Sequence, residues 1–266
     1  MMIRFTQAIG NNTLNFIGYL GGLGYLFADG IWWMTIGPIL KKGRFRKEET
    51  FFQMKRVSLR SMGIVSLVIF FVGMILALQM AYVLKILGVQ GYVADIIAVA
   101  MVREMGPLLV GMVMTGYAGA AIAAEIGTMV VSEEVVALEA GAFNPVRFLV
   151  VPRFLAAMVM MPLVTLLAMY IGIFGGFVIG VYILDMDKVE YVRRTIEALS
   201  VNDLMTGLVK AEMFGIIIAL IACREGLTVT RGAEGVGVAT TNAVVRSIVT
   251  IIISDLIFTT IFFYFF

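Results

Sequence analysis

The sequence lacks histidine altogether and has one cysteine, Cys223, in 266 residues. Without histidine the chain cannot form a Ser-His-Asp triad, a histidine-ligated zinc site or a histidine-held haem. A single cysteine forms neither an intrachain disulfide nor a thiolate metal cluster. We therefore expect no catalytic residues, no metal site and no cofactor bound to this chain.

Charge is also scarce. Charged residues make up 14% of the chain and hydrophobic residues 61%, against about 25% and about 45–50% in soluble domains. A chain of this length could not bury that much apolar surface in water. The formal net charge of +2 is too small to indicate nucleic-acid binding. The composition predicts an integral membrane protein.

Five uncharged or nearly uncharged segments are long enough to cross a bilayer. Residues Ser61 to Leu84 carry no charge, and at ~1.5 Å per residue they form a helix of about 36 Å, enough for a core of about 30 Å. Four further segments lie at about 96–124, 154–184, 204–222 and 243–266. The predicted fold is all-α, with five transmembrane helices in a domain of residues 61–266.

Residues 5–28 are uncharged but rich in asparagine and glycine, and the pair Trp32-Trp33 follows. Paired tryptophans favour the headgroup zone, so we predict an N-terminal helix that lies along the membrane surface. A sixth span is the alternative. With the surface helix, residues 1–60 comprise an interfacial helix and a basic cytoplasmic segment.

Basic residues indicate the orientation. Nine of the 20 Lys and Arg residues precede Ser61, and five of the others lie in or at the edge of the loops after spans two and four. By the positive-inside rule, the N-terminal basic segment is cytoplasmic and the C-terminus lies on the other side.

Five charges fall inside the predicted spans, where each costs about 2.5–3.5 kcal/mol. They are Arg103, Glu104, Lys210, Glu212 and Asp255. One interpretation is a cluster that receives a zwitterionic or anionic lipid headgroup. The other is a set of ion pairs that fix the bundle, such as Arg103 with Asp255 or Lys210 with Glu104.

The segment between spans two and three contains a short acidic stretch. Ser132 precedes Glu133 and Glu134, which predicts an N-capped helix with acids in its first turn. Asn144-Pro145 should end that helix. The helix is either an ordinary connection or a docking site for a cytoplasmic partner.

Residues 230–241 are glycine-rich, but they match neither a dinucleotide-binding fingerprint nor a P-loop. We predict a tight turn before span five and no ATP site in this chain.

Several segments together resemble the MlaE-type permease family, the membrane subunits of ABC transporters that work with MCE proteins. The motifs that carry the resemblance are Arg103-Glu104-Met105-Gly106-Pro107, residues 123–129, Glu133 with Ala137-Leu138, Pro145 with residues 149–153, and Gly232 to Ser247 followed by Asp255. The resemblance extends from about residue 60 to the end of the chain. Tyr117, Ala120, Glu134 and Val136 depart from the family pattern, so contacts of the docking helix could differ.

The resemblance implies a homodimeric permease in the bacterial inner membrane, with an interfacial helix and five spans in each protomer. It implies three protein partners: a cytoplasmic ABC ATPase that binds the ATP, a periplasmic MCE-domain protein and, optionally, a STAS-domain subunit. The cargo would be phospholipid. Arg103, Glu104, Lys210 and Asp255 would meet the headgroup or line the cavity. The ATPase stroke would pass through a coupling set of Glu125, Gly127, Thr128, Glu133, Glu134 and Leu138.

Two other functions remain open at this point. Glu104 and Asp255 could relay protons in a secondary carrier, although the chain is short and shows no internal repeat. The acidic helix could instead serve a non-transporting membrane scaffold.

Overall fold

A computed structural model describes residues 2–39, 46–230 and 232–265, and all regular structure in these ranges is helical. The α-helices are α1 Met2–Ile39, α2 Lys47–Leu59, α3 Met62–Ile86, α4 Val93–Ala100, α5 Gly106–Met114, α6 Ala120–Val131, α7 Glu134–Ala140, α8 Val151–Tyr182, α9 Lys188–Ala198, α10 Val201–Leu227 and α11 Gly232–Phe265. Lys41, Lys42, Arg44 and Arg231, on which the orientation partly depends, lie outside the described residues.

Within the described residues, five helical segments are long and apolar enough to cross a membrane, which confirms the predicted number. They are Lys47–Ile86, Gln90–Val131, Val146–Tyr182, Val201–Leu227 and Gly232–Tyr264. The last one begins earlier than predicted, because Gly235 and Gly237 lie in the first turns of α11. Residues 228–230, which follow α10, lie outside the helices.

Small residues allow the first and third spans to pack closely. A Cβ atom on Gly73 of α3 would lie 2.0 Å from the carbonyl oxygen of Gly172 in α8. Such close approach of two backbones is typical of glycine-lined helix crossings in membranes. α8 also packs against α10, and α10 packs against α6 and α11, so α8 and α10 form the centre of the bundle.

Span two is not a uniform α-helix. Two π-helical turns, Met101–Met105 and Thr115–Gly119, interrupt it. Single π-turns inside α-helices occur frequently at functional sites. The first of these turns contains both Arg103 and Glu104.

The helix between spans two and three is shorter than predicted. Ser132 does not cap it, because its hydroxyl donates to the carbonyl oxygen of Thr128 at the end of α6. Glu133 is the N-terminal flanking residue, with a left-handed φ of 61°. The helix ends at Ala140, and Asn144 instead accepts a hydrogen bond from the backbone N–H of Arg147. None of the residues of α7 is buried.

At the opposite end of the bundle, α9 connects spans three and four. The Asp187 carboxylate caps it by accepting hydrogen bonds from the backbone of Val189 and Glu190. Tyr191 anchors it, because a Cβ on Gly180 would lie 2.3 Å from the tyrosine ring. This burial raises the pKa of Tyr191 above its usual range.

Candidate functional site

One narrow ridge of α11 faces the bundle. Its buried members recur every four residues: Ala239, Ala243, Ser247, Ile251 and Asp255. Residues four apart lie on the same side of an α-helix. The ridge therefore carries the Asp255 carboxylate, and Thr259 one turn later, to the inner side of the last span.

A glycine brings span four against span two at the same level. A Cβ on Gly207 would lie 2.2 Å from the Val102 carbonyl oxygen and 2.6 Å from the Met169 methyl carbon. Only a glycine permits this approach without displacing the backbone of span two. Lys210, one turn further along α10, is thereby placed beside Glu104.

Lys210, Glu104, Asp255 and Thr259 form a polar group that we call the Lys210 cluster. The Lys210 ammonium donates to the Glu104 carboxylate, lies 3.0 Å from Asp255 Oδ1 and donates to Thr259 Oγ1 at 2.6 Å. Thr259 in turn donates to Glu104 Oε1 at 3.2 Å. Three spans are thus joined through one ammonium group.

The charges of the Lys210 cluster do not cancel. Two carboxylates share one ammonium, so the fully ionised cluster has a formal charge of −1. The Lys210 side chain is 1% exposed, whereas Glu104 is 30% exposed. The buried cation holds the carboxylates in place, and the accessible face of the cluster is acidic. Such a face suits a cationic amine.

Arg103 does not join this cluster. Its guanidinium lies 3.5 Å from Asp203 Oδ1 at the start of α10, so the proposed pairing of Arg103 with Asp255 is wrong. The reason is that consecutive residues of a helix point in different directions. The Arg103 side chain is 41% exposed and offers further donors to an anion. Glu212 is also separate from the cluster, half-buried and without an ion-pair partner among the described residues.

A second ionic group lies at the α7 end of the bundle. Glu125 contacts Arg56 at 2.5 Å and Arg153 at 3.0 Å, and Arg153 is 2% exposed. We call these three residues the Glu125 cluster. It connects the end of α6 to α2 and α8. A displacement of α6 would therefore also shift the spans that contain α2 and α8.

The predicted coupling residues fall in two elements. Glu125, Gly127 and Thr128 belong to the last turns of α6 and not to the short helix. Gly127 packs against α11 and the turn before it, because a Cβ there would lie 2.9 Å from a Val229 methyl group. Glu133, Glu134 and Leu138 lie at or in α7.

Several side chains that contact the predicted site residues are not predicted from the sequence. Asp203 carries a signal, since Ser200 and Asp203 form a capping box. Thr259 follows Asp255 by four residues, a spacing that places both on one face. No local sequence pattern predicts that Arg56 and Arg153 contact Glu125, because only the tertiary packing brings these residues together.

Comparison with known proteins gives a consistent result. Residues 50–261 match the family Permease MlaE. The chain belongs to the MlaE permease family. It is 35% identical over 263 residues to a probable ABC transporter permease protein of Rickettsia prowazekii, with 99% of each chain covered. It is 31% identical over 266 residues to the intermembrane phospholipid transport system permease protein MlaE of Haemophilus influenzae, again with 99% of each covered.

A further relative comes from a plant. The chain is 33% identical over 222 residues to the chloroplastic protein TRIGALACTOSYLDIACYLGLYCEROL 1 of Arabidopsis thaliana, covering 84% of this chain and 63% of the relative. As an MlaE-family member, the chain is a multi-pass ABC transporter permease, and ATP hydrolysis belongs to a separate ATPase subunit.

Proposed function

We propose that this chain is the permease of an ATP-driven transporter that moves phospholipid between the bacterial inner membrane and a periplasmic MCE-domain protein. The observation that carries the proposal is the Lys210 cluster, a buried ammonium between two carboxylates inside a family of ABC permeases. Ionisable groups within membrane spans mark substrate pathways by default. The name of the Haemophilus influenzae relative supports phospholipid as the cargo.

The two charged groups of span two would divide the headgroup between them. Arg103, with its exposed guanidinium, would pair with the phosphate, since guanidinium groups bind phosphate through parallel N–H donors. Glu104 and Asp255 would receive the amine of a zwitterionic headgroup, while Lys210 keeps them in place. This arrangement favours a zwitterionic phospholipid over an anionic one.

The ATPase stroke would enter at α7 and α6. α6 is part of the same span as Glu104, and about 21 residues separate Glu104 from Glu125, or roughly 30 Å at ~1.5 Å per residue. The Glu125 cluster would carry the motion of α6 to α2 and α8. In this proposal α7 lies on the cytoplasmic side, where the ATPase binds, and the C-terminus is periplasmic.

A second copy of the chain would cover α11. Outside its buried ridge, α11 exposes Val245, Val249, Ile252 and Leu256, and it is the least buried of the five spans. Two such faces would enclose a cavity that the Lys210 cluster of each protomer borders. A STAS-domain subunit would be an additional partner.

A charge-removal experiment tests the headgroup assignment. In proteoliposomes with the partner ATPase and MCE protein, Arg103→Gln should lower ATP-dependent phospholipid transfer about ten-fold. ATP hydrolysis should persist. The matched control is Arg193→Gln, because Arg193 is an exposed arginine on α9 whose ion pairs are with Glu190 and Glu197. Full transfer in Arg103→Gln would mean that the charge is structural.

A further inference from the structure

A groove of about 400 Å³ opens on the outer surface of the bundle, at the α9 end. Most of its lining comes from three helices: Tyr170 and Ile173 of α8, Ile196 of α9, and Val201 and Leu204 of α10. It is separate from the Lys210 cluster, none of whose residues lines it. The groove exists because the chain is extended at Leu199 and Ser200, so α9 and α10 diverge there.

The groove opens toward the membrane. Tyr170 is 69% exposed and Ile196 is 68% exposed, and Tyr170 lies in a membrane-spanning segment. α9 itself is amphipathic. Val189, Val192 and Ile196 are exposed along it. Four of its five charged residues form ion pairs with one another or with Asp95. A helix of this kind suits the boundary between headgroups and acyl chains.

One end of the groove is polar. Val102 of span two contributes to its lining, whereas the next residue, Arg103, does not. Ser200 also lines it, and its hydroxyl donates to Asp203 Oδ2 at 2.7 Å, the carboxylate that pairs with Arg103. Asp203 thus links the accessible guanidinium of Arg103 to the polar end of the groove. An apolar groove with a cation beside its polar end matches an amphiphile with an anionic head and a hydrocarbon tail.

We propose that this groove binds one acyl chain of a membrane phospholipid, with the phosphate of that lipid at Arg103. The charge complementarity of Arg103 and the opening toward the hydrocarbon favour a lipid over a protein segment as the occupant. The site lies between α8, α9 and α10, so a lipid held there approaches Arg103 from the surrounding bilayer. The inference rests on the proposed function for the choice of phospholipid as ligand.

Photolabelling tests the site. The full chain is reconstituted without ATP or partners, in vesicles that contain phosphatidylethanolamine with a diazirine in one palmitoyl chain. Irradiation should label peptides that contain Tyr170, Ile173 and Leu204 more heavily than the lipid-facing part of α3 around Leu67 and Phe71. Because the assay involves no transport, failure of the transport proposal would leave this result standing.

Variants on α9 provide the matched comparison. Ile196→Trp narrows the groove and Ile196→Asp places a carboxylate in it, so either change should lower groove labelling about five-fold through steric or charge conflict. Val189→Trp and Val189→Asp, at an exposed residue of the same helix outside the groove, should leave labelling unchanged. Equal labelling of the groove and of α3, or groove labelling that neither Ile196 variant lowers, would overturn the inference.

Discussion

At the scale of single residues, Lys210 compensates the charge of two carboxylates, Glu104 and Asp255, between three spans. It is almost fully buried and is the only cation within reach of two intramembrane carboxylates among the described residues. Removing one partner of a buried ion pair costs more than the pair itself contributes, because uncompensated charge stays behind.

We therefore expect Lys210→Met to destabilise the chain by about 3 kcal/mol. Thermal unfolding in detergent is the measurement, and the midpoint should fall. Asp255→Asn added to Lys210→Met should recover part of the loss, since it removes one of the unpaired carboxylates. Lys85→Met is the control, because Lys85 is exposed at the end of α3. An unchanged midpoint in Lys210→Met would contradict the geometry of the cluster.

The sequence alone identifies the three charged residues of the cluster, and one of the pairings it suggests, Lys210 with Glu104, is present in the structure. Charge in an apolar segment is visible in the sequence, so Glu104, Lys210 and Asp255 stand out. Which of two neighbouring charges faces which helix depends on helix rotation, and a π-turn at Met101–Met105 alters that rotation. The suggested pairing of Arg103 with Asp255 is therefore absent, and Arg103 pairs with Asp203.

At the scale of helices, the contact between span four and span two depends on Gly207. Gly207→Ala should cost about 2 kcal/mol, as overpacking of a filled contact does. It should also weaken the Lys210–Glu104 contact by pushing α10 away from Val102. The detergent unfolding midpoint measures the effect.

Gly63→Ala is the matched control, because nothing lies within 4 Å of the Cβ position at Gly63 in α3. Alanine there should be neutral or slightly stabilising, since it favours helix more than glycine does by about 1 kcal/mol. Equal midpoints for the two variants would show that the close crossing at Gly207 is not required.

Helix α7 makes a prediction about the ATPase. A photocrosslinking amino acid in place of Val136, which is 60% exposed, should capture the ATPase in the assembled complex. The same amino acid in place of Val189, at the opposite end of the bundle, should not. An active complex that gives no ATPase crosslink at residue 136, or that gives one at residue 189, would refute the coupling role of α7.

Local sequence patterns predict the five spans correctly but not the bounds of α7. Long uncharged runs predict the five spans, because bilayer thickness sets their length. The prediction for α7 was too long, since Ser132 binds backward to α6 and the polar cap expected for α7 is absent. When only a short turn separates two helices, a polar residue between them can hydrogen-bond to the end of the first helix or to the start of the second.

At the scale of the whole molecule, the proposed homodimer predicts a specific contact. With Cys223 replaced by serine, Val249→Cys or Ile252→Cys on α11 should give a disulfide-linked dimer in oxidised membranes. Leu67→Cys, an exposed position on α3, should not. Crosslinking through α3 in place of α11 would contradict the proposed cavity.

The central claim is that ATP hydrolysis on a partner subunit drives phospholipid through this permease. The most direct measurement is transfer of labelled phospholipid between proteoliposomes that contain the chain with its ATPase and the isolated MCE protein, with and without ATP. The account predicts transfer that requires ATP, the ATPase and this chain together. Transfer that proceeds equally without ATP, or that follows an imposed proton gradient, would contradict it and favour the secondary carrier.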